Sequence, residues 1–291
     1  MAEVVFGEVS LRDGSGQEEN VMAVIREALG SSRSLQDFKS NIDYDFGQTR
    51  VFGGFDEGKL VCMNVFMRML FSCDGEQLVA YQSGFSATAN SHRGRGLWPK
   101  LMVFAENQLM DLGAAFIFGY PNPVSHPLFI KKLHYHCMDL YTMVAPRVPF
   151  WPQIYLDRST PVDHSGVLKP DLQGNIAWKR RESGAMLTYS AEGSFLWGKV
   201  RKAKRLSIDM PFLEIGGFDL SSAETLVGLL NGAMAQAGVR FFHLSLNREN
   251  EYFPMFSHWR EKVAPVIIKP LGAFSREKRK LNFFGGMRDT Y

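Results

Sequence analysis

Arg93-Gly94-Arg95-Gly96-Leu97-Trp98 separates an apolar run, Leu78 to Ala89, from a stretch patterned as an amphipathic helix, Trp98 to Leu112. A glycine-bearing loop between a strand and a helix leaves backbone N–H groups free at the helix N-terminus. Those donors and the helix dipole favour a phosphate. Trp98, Leu101, Met102, Ala105, Leu109 and Leu112 form one apolar stripe at helical spacing. Pro99 suits the first turn, and Gly113 is the expected stop. Ala114 to Phe118 is patterned as a short buried strand, ended by Pro121-Asn122-Pro123. A second helix is predicted over about Ser125 to Leu133, and a further strand over Leu140 to Val144. The order is strand, glycine loop, helix, strand, Pro-Asn turn, helix, strand.

The chain has 291 residues, 45% of them hydrophobic, enough for one large or two ordinary domains. A net charge of +3 does not demand a nucleic-acid partner, and the basic runs lack interleaved aromatics or a nucleic-acid motif. The two halves differ in charge. Residues 1–150 hold 13 Lys/Arg and 16 Asp/Glu; residues 151–291 hold 20 and 14. The excess lies in Lys199 to Arg205 and Arg276 to Lys280. Such runs are ordinarily solvated surface, or else a face for an anionic partner such as a nucleotide-sugar. Cys62, Cys73 and Cys137 make no CxxC pair and no zinc spacing, so no metal is expected. Met1 to Gly30 shows no secretory leader pattern, which gives a cytoplasmic expectation. No apolar run is long enough to span a membrane.

The second half echoes the first. Gly113 and Asn122 bracket GAAFIFGYPN; Gly238 and Asn247 bracket GVRFFHLSLN, with Phe116 and Phe241 in the same place. Each follows an amphipathic helix, the second striped by Leu226, Leu229, Leu230, Ala233, Met234 and Ala237. Pro127-Leu128-Phe129 and Pro254-Met255-Phe256 follow the two asparagines. Ser221-Ser222-Ala223-Glu224 is patterned as a capping box. Glu214 to Asp219 then stands where the first half has its arginine–glycine loop, and an acidic loop would repel a pyrophosphate. The joint is expected around Pro146 to Val167, which is rich in proline.

RGRGLWPKLM together with FGYPNPVSHPLFIKKLHY resembles the GNAT superfamily of acyl-CoA-dependent N-acyltransferases, closest to those of bacterial polysaccharide and amino-sugar clusters. The family motif is Arg/Gln-x-x-Gly-x-Gly/Ala; Arg93 and Gly96 match it, and Trp98 stands in place of the last small residue. The resemblance implies an α/β (α+β) fold, a mixed sheet flanked by helices. It implies an acyl-CoA-binding domain over 1–150 and a degenerate GNAT-like half over 165–291 that contributes to an acceptor pocket. The co-substrate implied is acetyl-CoA. Arg93, Gly94, Arg95, Gly96, Leu97 and Trp98 would hold its phosphates, with Phe85, Ala87, Asn122 and Phe129 along the rest of it.

Transfer from a thioester to an amine requires a deprotonated amine, a stabilised oxyanion and a leaving thiolate. By resemblance the oxyanion meets a backbone N–H near Phe85 to Ala89, a role that needs no particular side chain. FIKKLHY occupies the place of a Tyr-x-x-Lys-x-Gly-Phe pattern, which puts Phe129 where a phenol is expected to protonate the thiolate. The catalytic candidates are Asn122 and Tyr135, with Tyr120 and His134 nearby. His92 suits a positional role, His126 opens the second helix, His243 suits a core histidine, and Glu106 is expected to face solvent. The implied function is N-acetylation of an amino sugar or a nucleotide-linked amino sugar. The alternatives are an amino-acid, polyamine or peptide amine acceptor, or acyl-CoA or sugar binding without turnover.

Overall fold

The computed structural model describes residues 3–11, 15–42, 48–147, 151–157, 165–172, 174, 186–205, 208–260, 265–275 and 279–287. The first part of the chain forms β1 (Val5–Glu8), α1 (Glu18–Leu29), α2 (Leu35–Ile42), β2 (Arg50–Asp56), β3 (Lys59–Cys73), β4 (Glu76–Thr88), α3 (Leu97–Asp111), β5 (Phe116–Gly119), α4 (His126–Leu133) and β6 (His136–Pro146). There follow α5 (Trp151–Tyr155), β7 (Val167–Pro170), β8 (Met186–Ala191), β9 (Ser194–Arg205), β10 (Ile208–Asp219), α6 (Thr225–Ala237), β11 (Phe241–Asn247), β12 (Pro265–Pro270) and β13 (Lys280–Leu281). Pro149 and Pro161 of the expected joint, and residues 276–278 of the second basic run, lie outside the described residues. Among the described residues no helix is long and apolar enough to cross a membrane.

The chain divides into two compact units, and not at a single cut. One takes Met1–Phe71, Gln77–Cys137 and Val266–Ser275; the other takes Ser72–Glu76, Met138–Pro265 and Arg276–Tyr291. The units do not follow sequence order: Ser72–Glu76 and most of β6 fall in the second, and β12 from Val266 onward falls in the first. The fold class is the one expected, a mixed sheet with helices against it.

In the first unit the strand order is β1-β2-β3-β4-β5-β12. β1, β2 and β3 pair antiparallel, β4 and β5 pair parallel across the α3 crossover, and β12 is antiparallel to β5. The predicted stripe on α3 is buried at Trp98, Leu101, Met102, Ala105 and Leu109, in one cluster with Phe52, Phe66 and Ile117. Gly113, at φ 80, turns the chain out of the helix. β5 starts later than the apolar pattern: the Ala114 amide closes the turn on Leu109 O, and the Ala115 amide donates across to Val79 O of β4 just before the strand begins.

Glu106 does not face solvent. It is 7% exposed and pairs with Lys269 Nζ at 2.6 Å. Lys269 also donates to Leu133 O at 2.9 Å, and its ammonium lies 5.4 Å from the centre of the Tyr135 ring. Helical spacing put Glu106 beside the stripe; its partner arrives from β12, 163 residues away in sequence. One ammonium thus fastens β12 to α3 and to the carbonyl end of α4.

The second unit repeats the plan. Its strand order is β6-β11-β10-β9-β8, with β10 and β11 parallel and the other pairs antiparallel. α6 forms the crossover and buries Leu226, Leu229, Leu230, Ala233 and Met234; Gly238, at φ 65, ends it as Gly113 ends α3. Two expectations fail here. Glu214 to Asp219 is not a loop but the end of β10, and the turn is Leu220 to Glu224. No side chain caps α6; the Ser221 hydroxyl donates instead to Glu192 O at 2.7 Å and Thr225 Oγ1 donates to Ser222 O.

β10 and β11 pair at only Leu213↔Phe242 and Glu214↔His243 before they part. The gap is filled by the chain itself. Phe284 bridges to Leu246 of β11, and a Cβ on Gly217 of β10 would lie 3.6 Å from its ring. Asn247 holds this segment on both sides, donating to Leu281 O at 2.8 Å and accepting from the Phe283 amide at 3.0 Å. Steric occupation, and not the acidic loop read from the sequence, closes the second unit's split.

Lys269→Met leaves the Glu106 carboxylate without its cation in the core. It should lower unfolding stability by on the order of 3 kcal/mol, and Lys269→Met with Glu106→Leu should recover most of the loss, because the pair is replaced and not broken. Denaturant melts of the two variants check this; equal losses would contradict it.

Candidate active site

β4 and β5 pair over four residues, Ala80↔Phe116 through Ser83↔Gly119. β5 then stops, while β4 runs on to Thr88. The last pair is close: a Cβ on Gly119 would lie 3.2 Å from Ser83 O. Just past the parting, Phe85 has φ 49, an unusual backbone for a bulky residue inside a strand. Its ring packs edge-on against Phe38 of α2 at 5.3 Å, so the kink in the backbone is matched by an anchored side chain. Ala87 is buried.

A 3-10 turn, Asn90–His92, follows β4 and leads into the glycine loop. Gly94 and Gly96 have φ 76 and 67, conformations that glycine adopts without strain. Gly96 precedes the first residue of α3, and no side chain caps the helix. The amides of Gly96, Leu97 and Trp98 at the helix start are therefore not taken by a capping side chain, and Pro99 has no N–H. A Cβ on either glycine would meet nothing within 4 Å, so the backbone is open to a ligand. These residues fit a pyrophosphate by amide donors, helix dipole and space together.

The side chains around the loop hold it in place. Arg93 donates to Thr88 O at 3.3 Å and to Ala28 O, at the end of α1, at 3.0 Å. Glu27 accepts the Asn90 amide at 2.6 Å. Asp56, at the end of β2, binds His92 Nε2 at 2.9 Å and lies 3.6 Å from Arg95. The His92 hydrogen bond, with the Arg95 charge adding to it, holds the Asp56 carboxyl below the ordinary carboxylate range.

Trp98 is 8% exposed, and its indole N–H points to Asn64 Oδ1 at 3.3 Å. The bulky departure from the family motif is thus a core side chain with a polar handle. Phe129 stands edge-on to Trp98 and to Tyr135, at 4.9 Å from each. It is 4% exposed and packed in the core. His134 has φ 57, which suits the glycine of the family pattern and supports the placement of FIKKLHY.

Tyr135, a catalytic candidate, is buried, and its hydroxyl faces the Glu106 carboxylate without an aligned hydrogen bond. Burial, reinforced by the Glu106 charge, raises its ionisation well above that of an ordinary phenol. Asn122, the other candidate, is exposed. Its Oδ1 accepts the amides of Val124 and Ser125 at 3.0 and 2.8 Å, the turn that starts α4. His126 lies 3.4 Å from Cys137 Sγ, and Tyr120 packs against Phe118. His243 is half-buried, 3.9 Å from Glu214, with burial lowering its ionisation. Among the described residues no group of three His, Cys, Asp or Glu is placed to hold a metal.

Sequence reasoning missed Asp56, Glu27 and Asn64. Asn64 left a trace, one amide inside the apolar run Leu60 to Phe71. Asp56 and Glu27 left none, since each is an ordinary acidic residue far from the loop in sequence.

Residues 14–138 match the family of the acetyltransferase (GNAT) domain. They are a GNAT acetyltransferase domain. It is an acyltransferase domain, and GNAT acetyltransferases use acetyl-CoA as acyl donor. Whole-chain likeness to solved structures agrees in fold. A GCN5-related N-acetyltransferase from Anabaena variabilis superposes with TM-score 0.63 at 10% identity, over 95% of this chain and 75% of the other. One from Kribbella flavida gives 0.62 at 16%, over 92% and 71%. Eis1 from Mycobacterium abscessus gives 0.60 at 11%, over 91% and 73%. No curated protein matches the chain in sequence.

In this GNAT domain the position aligned with the family phenol is core. Phe129→Tyr should bury an unpaired hydroxyl and lower stability by about 1–3 kcal/mol, with the pH dependence of turnover unchanged. A melt and a pH–rate profile check it; a new alkaline limb in the profile would show that the ring faces the reacting sulfur after all.

Proposed function

We propose that the chain transfers the acetyl group of acetyl-CoA to the amine of an amino sugar, free or carried on a nucleotide, with one donor site per chain. The observation that carries the donor half is the parting of β4 from β5 beside the uncapped start of α3. Acetyl-CoA supplies an activated thioester. The amides of Gly94 to Trp98 bind its pyrophosphate, and the β4 backbone from Phe85 to Ala87 lies along the thioester arm and turns an N–H toward the carbonyl. The Asn122 Nδ2 group is assigned a contact with the same arm. Phe129 and Tyr135 supply no proton to the leaving sulfur in this reading. An ordinary thiol ionises near ~8.5, low enough to leave unaided.

The amino-sugar acceptor rests on the resemblance of RGRGLWPKLM and FGYPNPVSHPLFIKKLHY to transferases of that kind. It is supported by the basic composition of β9, which carries Lys199, Arg201 and Lys202 and would draw an anionic sugar or nucleotide. Arg201 is paired with Glu214 at 2.9 Å, which offsets its charge and leaves less of it for the acceptor.

Titration calorimetry with CoA should give one site per chain. Gly96→Val should weaken binding strongly while the protein stays folded, because a β-branched residue resists a positive φ and crowds the amides. Arg93→Ala with Arg95→Ala should weaken binding too, through a loosened loop and lost charge, with a flatter salt dependence than the parent. Two equal sites, or full affinity in both variants, would remove the donor reading. A panel of amines assayed by free-CoA release separates amino sugars from amino acids, polyamines and peptides. Tight CoA binding with no release for any amine would favour a binding protein.

A further inference from the structure

A strand turns successive side chains to opposite faces, so residues three apart normally cannot reach one partner. Ser83 and Ser86 of β4 break this rule. Both hydroxyls meet the same amide, Asn64 of β3: Asn64 Nδ2 donates to Ser83 Oγ at 3.0 Å, and Ser86 Oγ donates to Asn64 Oδ1. The residue between them that allows it is Phe85, whose positive φ inserts a bulge and returns Ser86 to the face of Ser83. Asn64 is fully buried, and its amide also donates to Val65 O at 3.0 Å. Its Oδ1 takes the second bond described above, from the indole of Trp98 in the first turn of α3. One buried amide therefore joins the last paired residue of β4, the first residue past the bulge, and the helix that starts at the glycine loop.

We propose that Asn64 is a positioning residue for acyl transfer: it pins the β4 bulge, and through Trp98 the start of α3, so that the backbone N–H facing the thioester carbonyl and the amides facing the phosphates keep one spacing. This rests on the donor site proposed above. Both faces of the amide are used, so a simple packing role does not account for it. An apolar residue of similar size would fill the volume, but both serines and the indole would then lose their buried partner. The bulge would lose the bonds that hold Phe85 at positive φ, and an unpinned residue of that kind relaxes toward an extended strand. Trp98 acquires a reason here: a small residue at that position has no donor to offer Asn64.

The consequence is a division between binding and rate. Fixing a carbonyl against a backbone donor acts on the chemical step, and misplacement on the order of 1 Å costs about a hundredfold. Ser86→Ala removes one hydroxyl and nothing else, and it should lower kcat by about tenfold or more with the dissociation constant for CoA changed less than about twofold. Asn64→Asp keeps an acceptor for Ser86 and Trp98 but loses the donor to Ser83, and should fall between the parent and Asn64→Leu. If Ser86→Ala and Asn64→Leu lower the melting temperature but leave kcat as it was, Asn64 is a structural amide and the proposal is wrong. If the Asn64→Leu chain does not fold, Ser86→Ala decides alone. Failure of the donor reading looks different: the parent protein itself would then bind no CoA by calorimetry.

Discussion

A strand that loses its neighbour still carries hydrogen-bonding groups that must be met. β4 outruns β5 beyond Ser83 and Gly119, while β10 and β11 part after Glu214 and His243 although both strands run on. The two units answer the same demand differently. In the second, Phe283 and Phe284 come back along the chain and fill the split, held by Asn247. In the first, the split opens beside a glycine loop with no Cβ in the way. The two units differ in whether the chain meets its own unpaired backbone, and the donor reading proposed above rests on that difference.

Holding that opening in shape takes more than the loop. Asp56, Glu27 and the Ala28 carbonyl lie on β2 and α1, elements that precede the loop by dozens of residues. They convert the two arginines from free charges into struts. Asp56 lies against Arg95 and His92, so the local positive potential is moderated. In the donor reading proposed above, the amides and the helix dipole would then carry more of the attraction for phosphate than the arginines do.

Much of this was legible in residue order. The helix stripe, the stop at Gly113, the Pro-Asn turn and the glycine loop are local features, and local features leave local patterns. The echo at Gly238 to Asn247 was readable for the same reason. What the order of residues hid was pairing at a distance. Glu106 looks exposed until Lys269 is beside it, and Glu214 to Asp219 looks like a loop because Gly216 and Gly217 sit in it. Those glycines are there because Trp197 leaves no room: a Cβ on Gly216 would lie 2.2 Å from its ring. Phe129 shows the limit of motif alignment. The alignment set it opposite the family phenol, and the positive φ at His134 fits that register, while the packing of Trp98 against it decides what the position does.

The exchange of β6 and β12 between units also has a bearing on how the chain is made. β5 is complete early in translation, yet the strand that covers its far edge, β12, lies some 146 residues later. At roughly 5–20 residues per second the ribosome needs about 7–30 s to deliver it. Through that interval Phe116, Ile117 and Phe118 present an apolar edge with unpaired amides, the kind of template on which nascent chains stick to one another. β6 waits in the same way for β11. Neither sheet can be finished in vectorial order, so the slow step in biogenesis is set by connectivity, and nascent-chain chaperones would find their binding sites at β5 and β6.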